Sequence, residues 1–103
     1  MIFAKVIGTV VADARVSSMG GQLLRLVQLV DGRTLEPRGG IFVAADVTGA
    51  GESELVMLSS GASARKAGKL QNAPVDLAII AIIDEVAGAD GVIYRSTRKD
   101  GVV

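Results

Sequence analysis

The sequence predicts an all-β fold of five main strands, one short helix and no helical layer. Three observations lead there. Apolar residues alternate with polar or small ones, the longest apolar run is rich in β-branched isoleucine, and 13 glycines punctuate the chain. At 103 residues the chain has the length of a single domain, placed here at residues 1–96 with a flexible tail over 97–103. Half of the residues are hydrophobic, but only Phe3, Phe42 and Tyr94 are aromatic, so aliphatic side chains fill the core.

The first strand runs from Ile2 to Val11. Gly8 lies inside it, where glycine marks a bulge or a sharp bend. A polar loop over Asp13–Gly21 leads to a second strand, Gln22–Val30. Asp31-Gly32 opens a turn, and Glu36-Pro37-Arg38-Gly39-Gly40 continues the connection. The third strand is Ile41–Val47, ended by the tight turn at Gly49-Ala50-Gly51, and the fourth is Leu55–Ser59. Ser60–Gly68 has helix composition, with a serine to cap its start and Gly68 to end it. Ala73-Pro74 then leads into the fifth segment, Val75–Val86, and a last weak strand covers Val92–Arg95.

The fifth segment is aliphatic on both faces, with Ile79, Ala81 and Ile83 on one and Ala78, Ile80 and Ile82 on the other. Strands buried on both faces normally belong to α/β layers. Here no helices are available to cover a second face, and the second strand shows a milder form of the same surplus. Either another subunit covers that surface or one small barrel wraps its own strand ends around it.

The absences exclude much chemistry. There is no His and no Cys, which removes Ser-His-Asp and Cys-His catalysis, the usual zinc sites, haem ligation and disulfides. No cofactor or metal site is expected. No apolar run approaches the roughly 20 residues of a membrane span, and Met1–Lys5 lacks the pattern of a cleaved leader, so a soluble cytoplasmic protein is expected. Eleven Lys and Arg balance eleven Asp and Glu. That neutrality, with few aromatics, disfavours a barrel that binds single-stranded nucleic acid, which needs a basic groove and stacking platforms.

The remaining motifs are weak. Gly49-Ala50-Gly51 fails as a dinucleotide loop because the third glycine would fall at Glu54 and no helix follows. Gly61–Lys69 fails as a phosphate loop at Ser63 and Leu70. Ser63-Ala64-Arg65-Lys66 matches S-x-x-K, yet the companion motifs of penicillin-binding enzymes are absent, so a small hydrolase is disfavoured. Asp46, Asp76 and Asp84 sit singly among apolar residues, where turn or edge hydrogen bonds account for them better than acid-base work. No catalytic residue is assigned.

Taken in order, the segments resemble the bacterial microcompartment vertex proteins, particularly the carboxysome type. The pieces that carry the resemblance are Lys5–Val11, Leu26–Asp31, Ala44–Gly51, Gly61–Arg65 and Pro74–Asp84. Two positions depart from the pattern: Leu23, where many members have Lys, and Ala62 within the G-S-S-A-R form. The resemblance implies a small five-stranded OB-like β-barrel with one short helix, assembled as a homopentamer that caps the five-fold corners of a shell with hexameric facets. It implies a structural role, not an enzymatic one. Within that frame Gly61, Ala62, Ser63, Ala64 and Arg65 are candidates for the contact with a neighbouring hexamer. Ala12, Asp13 and Ala14 are candidates for lining a central pore. The carboxysome type is favoured by Gln28–Asp31, Ala44–Val47 and the tail residues Tyr94-Arg95-Ser96 and Lys99-Asp100; a catabolic microcompartment is the alternative.

Overall fold

The computed structural model describes residues 2–11, 23–60 and 77–97. Among the described residues there are seven strands: β1 (Ile2–Val10), β2 (Leu23–Val30), β3 (Pro37–Asp46), β4 (Leu55–Ser60), β5 (Leu77–Ile82), β6 (Glu85–Gly88) and β7 (Gly91–Arg95). The first five close into a barrel in the order β1-β2-β3-β5-β4. All pairs are antiparallel except β3 with β5. β6 and β7 form a separate two-stranded hairpin.

The register sorts the side chains. Directly opposed residues share a face. Ala4 and Val6 of β1, Val27 of β2, Ala44 of β3, Val56 and Leu58 of β4 and Ile79 of β5 therefore point inward together, and with Ala50 they make the core. Small residues at Ala4, Ala44 and Ala50 leave room for the branched ones, which is how a barrel with so few aromatics fills its interior. Ile7 is the extra residue of a bulge in β1: Val6 faces Val27, but Gly8 faces Leu26. The bulge restores Thr9 to the inward side, opposite Arg25.

Three boundaries differ from the sequence reading. β3 begins at Pro37, so Pro37–Gly40 is strand and not connection. It accommodates a proline because that residue is the strand's first. Gly39 and Gly40 sit in an irregular stretch, since Gln28 faces Ile41 while Val30 faces Pro37. The fifth apolar segment is also not one strand. It ends at Ile82, one residue before a last bond in the same register, from the Ile83 N–H to the carbonyl of Leu55 at the start of β4 (2.9 Å), and resumes at Glu85 as β6. Finally, Ser60 ends β4, and the rest of the helix expected over Ser60–Gly68 lies outside the described residues.

Candidate functional site

Among the described residues two regions of the barrel hold specific chemistry, a polar end and the seam between β3 and β5. The polar end is built on Asp46, the last residue of β3, whose side chain is wholly buried. Its Oδ1 accepts from the Thr48 N–H (2.8 Å), the Thr48 hydroxyl (2.7 Å) and the Gly49 N–H (3.1 Å). Its Oδ2 accepts from the Ala50 N–H (3.0 Å) and from Arg25 Nε (3.2 Å). Burial pushes this carboxyl up, and the bonds from the Thr48 hydroxyl and N–H, Arg25 and Gly49 outweigh it, so its pKa lies below the ordinary value. Asp46 thus serves as a cap for the loop over 47–51, with Gly49 at a φ of 77° that a side chain rarely adopts. Arg25 carries the brace further by donating to the Thr9 hydroxyl, so one guanidinium ties β1 to the end of β3.

The next turn is fastened to the barrel as well. The Ser53 N–H donates to the Val6 carbonyl (2.8 Å), and the Val6 N–H donates to the Glu54 carbonyl (3.1 Å). The Gly51 N–H donates to Glu54 Oε1. At the opposite end Asp31 organises the β2–β3 turn. Its carboxyl is lowered to about 2 by the Arg33 N–H, then by the Arg38 side chain and the Thr34 N–H.

The seam lies between β3 and β5. Among the described residues Ala45↔Ala78 and Asp46↔Ile79 are paired there, and the residues before Leu77 that would continue this register lie outside them. Among the described residues, Pro37–Ala44 has a strand neighbour on one side alone, β2. Exposure changes along β3. Ala44 faces inward and is buried, whereas Phe42, two residues earlier on the same face, is 45% exposed. Ile41 and Val43 on the outer face are 54% and 48% exposed. Gln28 holds the irregular stretch in place by donating through Nε2 to the carbonyls of Leu29 (3.0 Å), Gly39 (3.3 Å) and Gly40 (3.2 Å). Gly40 is small because the Phe42 ring lies against it: a Cβ there would come within 3.0 Å of the ring.

Two open grooves lined by the described residues gather no reactive set. One, of about 350 Å³, runs between Gly49–Glu54 and Tyr94–Thr97. The other, of about 410 Å³, lies between Arg33 and the hairpin turn. Among the described residues no group of three or more His, Cys, Asp or Glu is placed to hold a metal. The hexamer-contact candidates Gly61, Ala62, Ser63, Ala64 and Arg65, the pore candidates Ala12, Asp13 and Ala14, and the weighed residues Lys66 and Asp76 lie outside the described residues. Of the remaining carboxylates weighed in the sequence, Asp46 caps its loop, and Asp84 contributes its backbone carbonyl to the Ser96 N–H (2.8 Å). The sequence reading gave no structural role to Arg25, to the run Ile41-Phe42-Val43 or to Gln28, which it used only as part of the resemblance. Only the run left a visible signal, three consecutive large apolar residues after a glycine pair.

Residues 1–84 match the family described as ethanolamine utilisation protein EutN/carboxysome. The chain belongs to this family. It is similar to the bacterial microcompartment shell vertex protein EutN of Escherichia coli, 40% identical over 92% of this chain and 99% of the other. It is equally similar to the carboxysome shell vertex protein CcmL of Synechocystis sp., 40% identical over 98% of this chain and 99% of the other. Among solved structures it resembles GrpN of Rhodospirillum rubrum, a pentameric microcompartment shell protein, with a TM-score of 0.77 and 36% identity over 86% of this chain and all of the other. These family members are structural vertex proteins, not enzymes.

Proposed function

We propose that this chain is a homopentameric vertex subunit of a bacterial microcompartment shell in the cytoplasm, where it joins hexameric facet proteins. The observation that carries the reading is the likeness to a pentameric shell protein whose whole length this chain covers. The geometry agrees with it. The carboxyls with clearly displaced pKa values, Asp31 and Asp46, are both engaged in holding loops. The mechanism is one of shape: a contact between two different patches closes into a ring when each step turns by one-fifth. A five-fold ring set among six-fold ones forces the curvature that a shell corner needs. Native mass spectrometry tests the ring. Five copies of a 10.6 kDa chain give a species near 53 kDa, and a monomer at working concentration would refute it.

The carboxysome is the finer reading, supported by Gln28–Asp31 and Ala44–Val47 and by the likeness to CcmL. The equal identity to EutN keeps a catabolic compartment as its rival. Shells purified from the native cell discriminate: a carbon-fixing enzyme inside supports the first, an ethanolamine- or propanediol-degrading enzyme the second. The contact with hexamers is assigned to Gly61–Arg65, on the strength of small residues that permit close approach and an arginine able to pair with carboxylates or carbonyls. Arg65→Ala should abolish shell closure while leaving pentamers intact, and unchanged closure would overturn that assignment. The pore lining is assigned to Ala12, Asp13 and Ala14, where a ring of carboxylates would favour cations. Asp13→Asn should remove that preference.

A further inference from the structure

An aspartate followed by glycine can react with its own backbone, because glycine has no Cβ to shield its nitrogen from the neighbouring carboxyl. The chain has three such pairs: Asp31-Gly32, Asp90-Gly91 and Asp100-Gly101. The last lies outside the described residues, and the other two are held very differently. The Asp31 carboxylate accepts from the Arg33 N–H (2.8 Å), the Thr34 N–H (3.2 Å) and Arg38 Nη1 (2.8 Å), so it is turned away from the Gly32 nitrogen. The peptide that carries this nitrogen is pinned as well. The Asp31 carbonyl accepts from the Leu35 N–H (2.8 Å), and a Cβ on Gly32 would lie 3.3 Å from the Phe3 ring. At the second pair these restraints are missing. The Asp90 carboxyl has no hydrogen-bond or ion-pair partner among the described residues. A Cβ on Gly91 would meet none of them within 4 Å, and every residue from Ala87 to Val92 is exposed. Ala89 and Asp90 form the turn that Gly88↔Gly91 closes. That pairing has to open before the carboxyl reaches the nitrogen, and a two-stranded ribbon outside the barrel sheet is only marginally stable.

We propose that Asp90-Gly91 is a site of self-modification, at which the folded protein converts aspartate to isoaspartate, and that Asp31-Gly32 is protected by its hydrogen bonds. The Gly91 nitrogen bonds to Cγ of Asp90, the bond from Cγ to its hydroxyl oxygen breaks, and the amide proton and hydroxyl leave as water. Hydrolysis of the resulting cyclic imide returns that water. Opening between the nitrogen and Cγ restores aspartate. Opening on the other side leaves the main chain running through Cγ, with the former backbone carbonyl carbon as a free carboxylate. Water is the only co-reactant, and nothing is oxidised or reduced. The product lengthens the main chain by one atom inside a two-residue turn, so Gly88↔Gly91 no longer closes in the same geometry and the groove beside Arg33 changes shape.

Ageing the purified protein at neutral pH in heavy-oxygen water tests the proposal, because each imide that hydrolyses takes up one heavy oxygen. Digestion by trypsin in ordinary water then puts the three pairs on separate peptides, residues 26–33, 70–95 and 100–103. Fragmentation locates the label within each peptide. Protein-isoaspartate methyltransferase with a labelled methyl donor counts the isoaspartate independently. Label at Asp90 should exceed label at Asp31 roughly tenfold or more, since three hydrogen bonds separate the two sites by at least that order even at their modest net worth. In the chain unfolded by guanidinium chloride the two sites should label to a similar extent, which shows that the fold makes the difference. Asp90→Glu, whose longer side chain would need a larger ring, should leave the 70–95 peptide without isoaspartate. Four results would each overturn the inference: no label at Asp90, equal label at both sites in the folded protein, a difference that persists in the unfolded chain, or isoaspartate that persists on 70–95 in Asp90→Glu.

Discussion

Removing the Asp46 carboxylate should destabilise the fold by about 3 kcal/mol, and the reasoning can be followed bond by bond. Asp46→Ala deletes the acceptor for four donor groups and for Arg25. The Thr48 and Gly49 donors are only part-buried, so water replaces the carboxylate there at little cost. The Ala50 N–H is buried, and Ala50 itself has no exposed surface. An orphaned buried donor costs about 1–3 kcal/mol. Arg25 loses its counter-charge. Breaking a fully buried ion pair costs about 3–5 kcal/mol, but the Arg25 side chain is 16% exposed and keeps its bond to Thr9, so about 1–2 kcal/mol is the better share. Urea unfolding near neutral pH, at one fixed protein concentration because assembly adds its own stability, measures the sum. Asp46→Asn should recover less than half. It offers one acceptor oxygen, and its amide donor would confront either the Ala50 N–H or the Thr48 and Gly49 donors. Arg25→Ala should cost less than Asp46→Ala, because the carboxylate keeps its loop donors. A loss below about 1 kcal/mol for Asp46→Ala, or a larger loss for Arg25→Ala, would refute the assignment of Asp46 as the lock of this loop.

Stability should fall in acid. Asp46 and Asp31 both titrate below 3.8 in the folded chain, so each contributes stability that is whole above that value and lost as pH falls through the folded pKa, about 2 for Asp31. Urea midpoints between about pH 5 and 2 should decline less steeply in Asp46→Asn than in wild type. Gly39→Ala should cost more than Gly49→Ala. Both have positive φ, worth about 1–2 kcal/mol for an added side chain, but a Cβ at Gly39 would also come within 3.2 Å of Leu29, whereas nothing lies within 4 Å at Gly49; thermal melting ranks them. Leu58→Ala, in the centre of the core, should cost about 2–5 kcal/mol by chemical unfolding, and Phe42→Ala, half-exposed in the seam, well under that in a dilute monomer.

Local chemistry made much of the barrel legible, and long-range pairing hid the rest. The alternation of Ile2–Val10 and the bulge beside Gly8 could be read directly, because both are set by the strand's own residues. Pro37–Gly40 was read as connection because proline and glycine punctuate chains; whether such residues end a strand depends on which edge they occupy. The break in the fifth apolar run was invisible for a similar reason. Ile82 and Ile83 are the same residue type, and the Ile83 N–H still donates to Leu55 in register, so the run breaks where β4 begins and not where composition changes. Asp46 could be recognised as a turn carboxylate, whereas its partner Arg25 lies 21 residues away and no spacing pointed to it. The surplus apolar surface was expected on the second and fifth strands. Among the described residues the longest run of exposed large apolar side chains is instead Ile41-Phe42-Val43 of β3, since exposure follows from where a residue lies in the barrel and not from how apolar its strand is.

The two ends of β3 are held in different ways. At its C-terminal end the parallel pairing with β5 closes the barrel, and Asp46 fixes the chain as it leaves. At its N-terminal end Gln28 supports the irregular backbone of the same strand from the β2 side. A strand held at both ends is stiff. Stiffness matters because a ring of five closes only if each contact turns by the same angle, and a mobile barrel surface would spread that angle over rings of other sizes. Loosening Gln28 should therefore act on ring size as well as on stability. Gln28→Ala removes the donor to Leu29, Gly39 and Gly40 while leaving Ile41, Phe42 and Val43 in place. A mixture of ring sizes in native mass spectrometry is the expected result. A uniform pentamer with a loss of about 1 kcal/mol in stability would show that the support is structural alone.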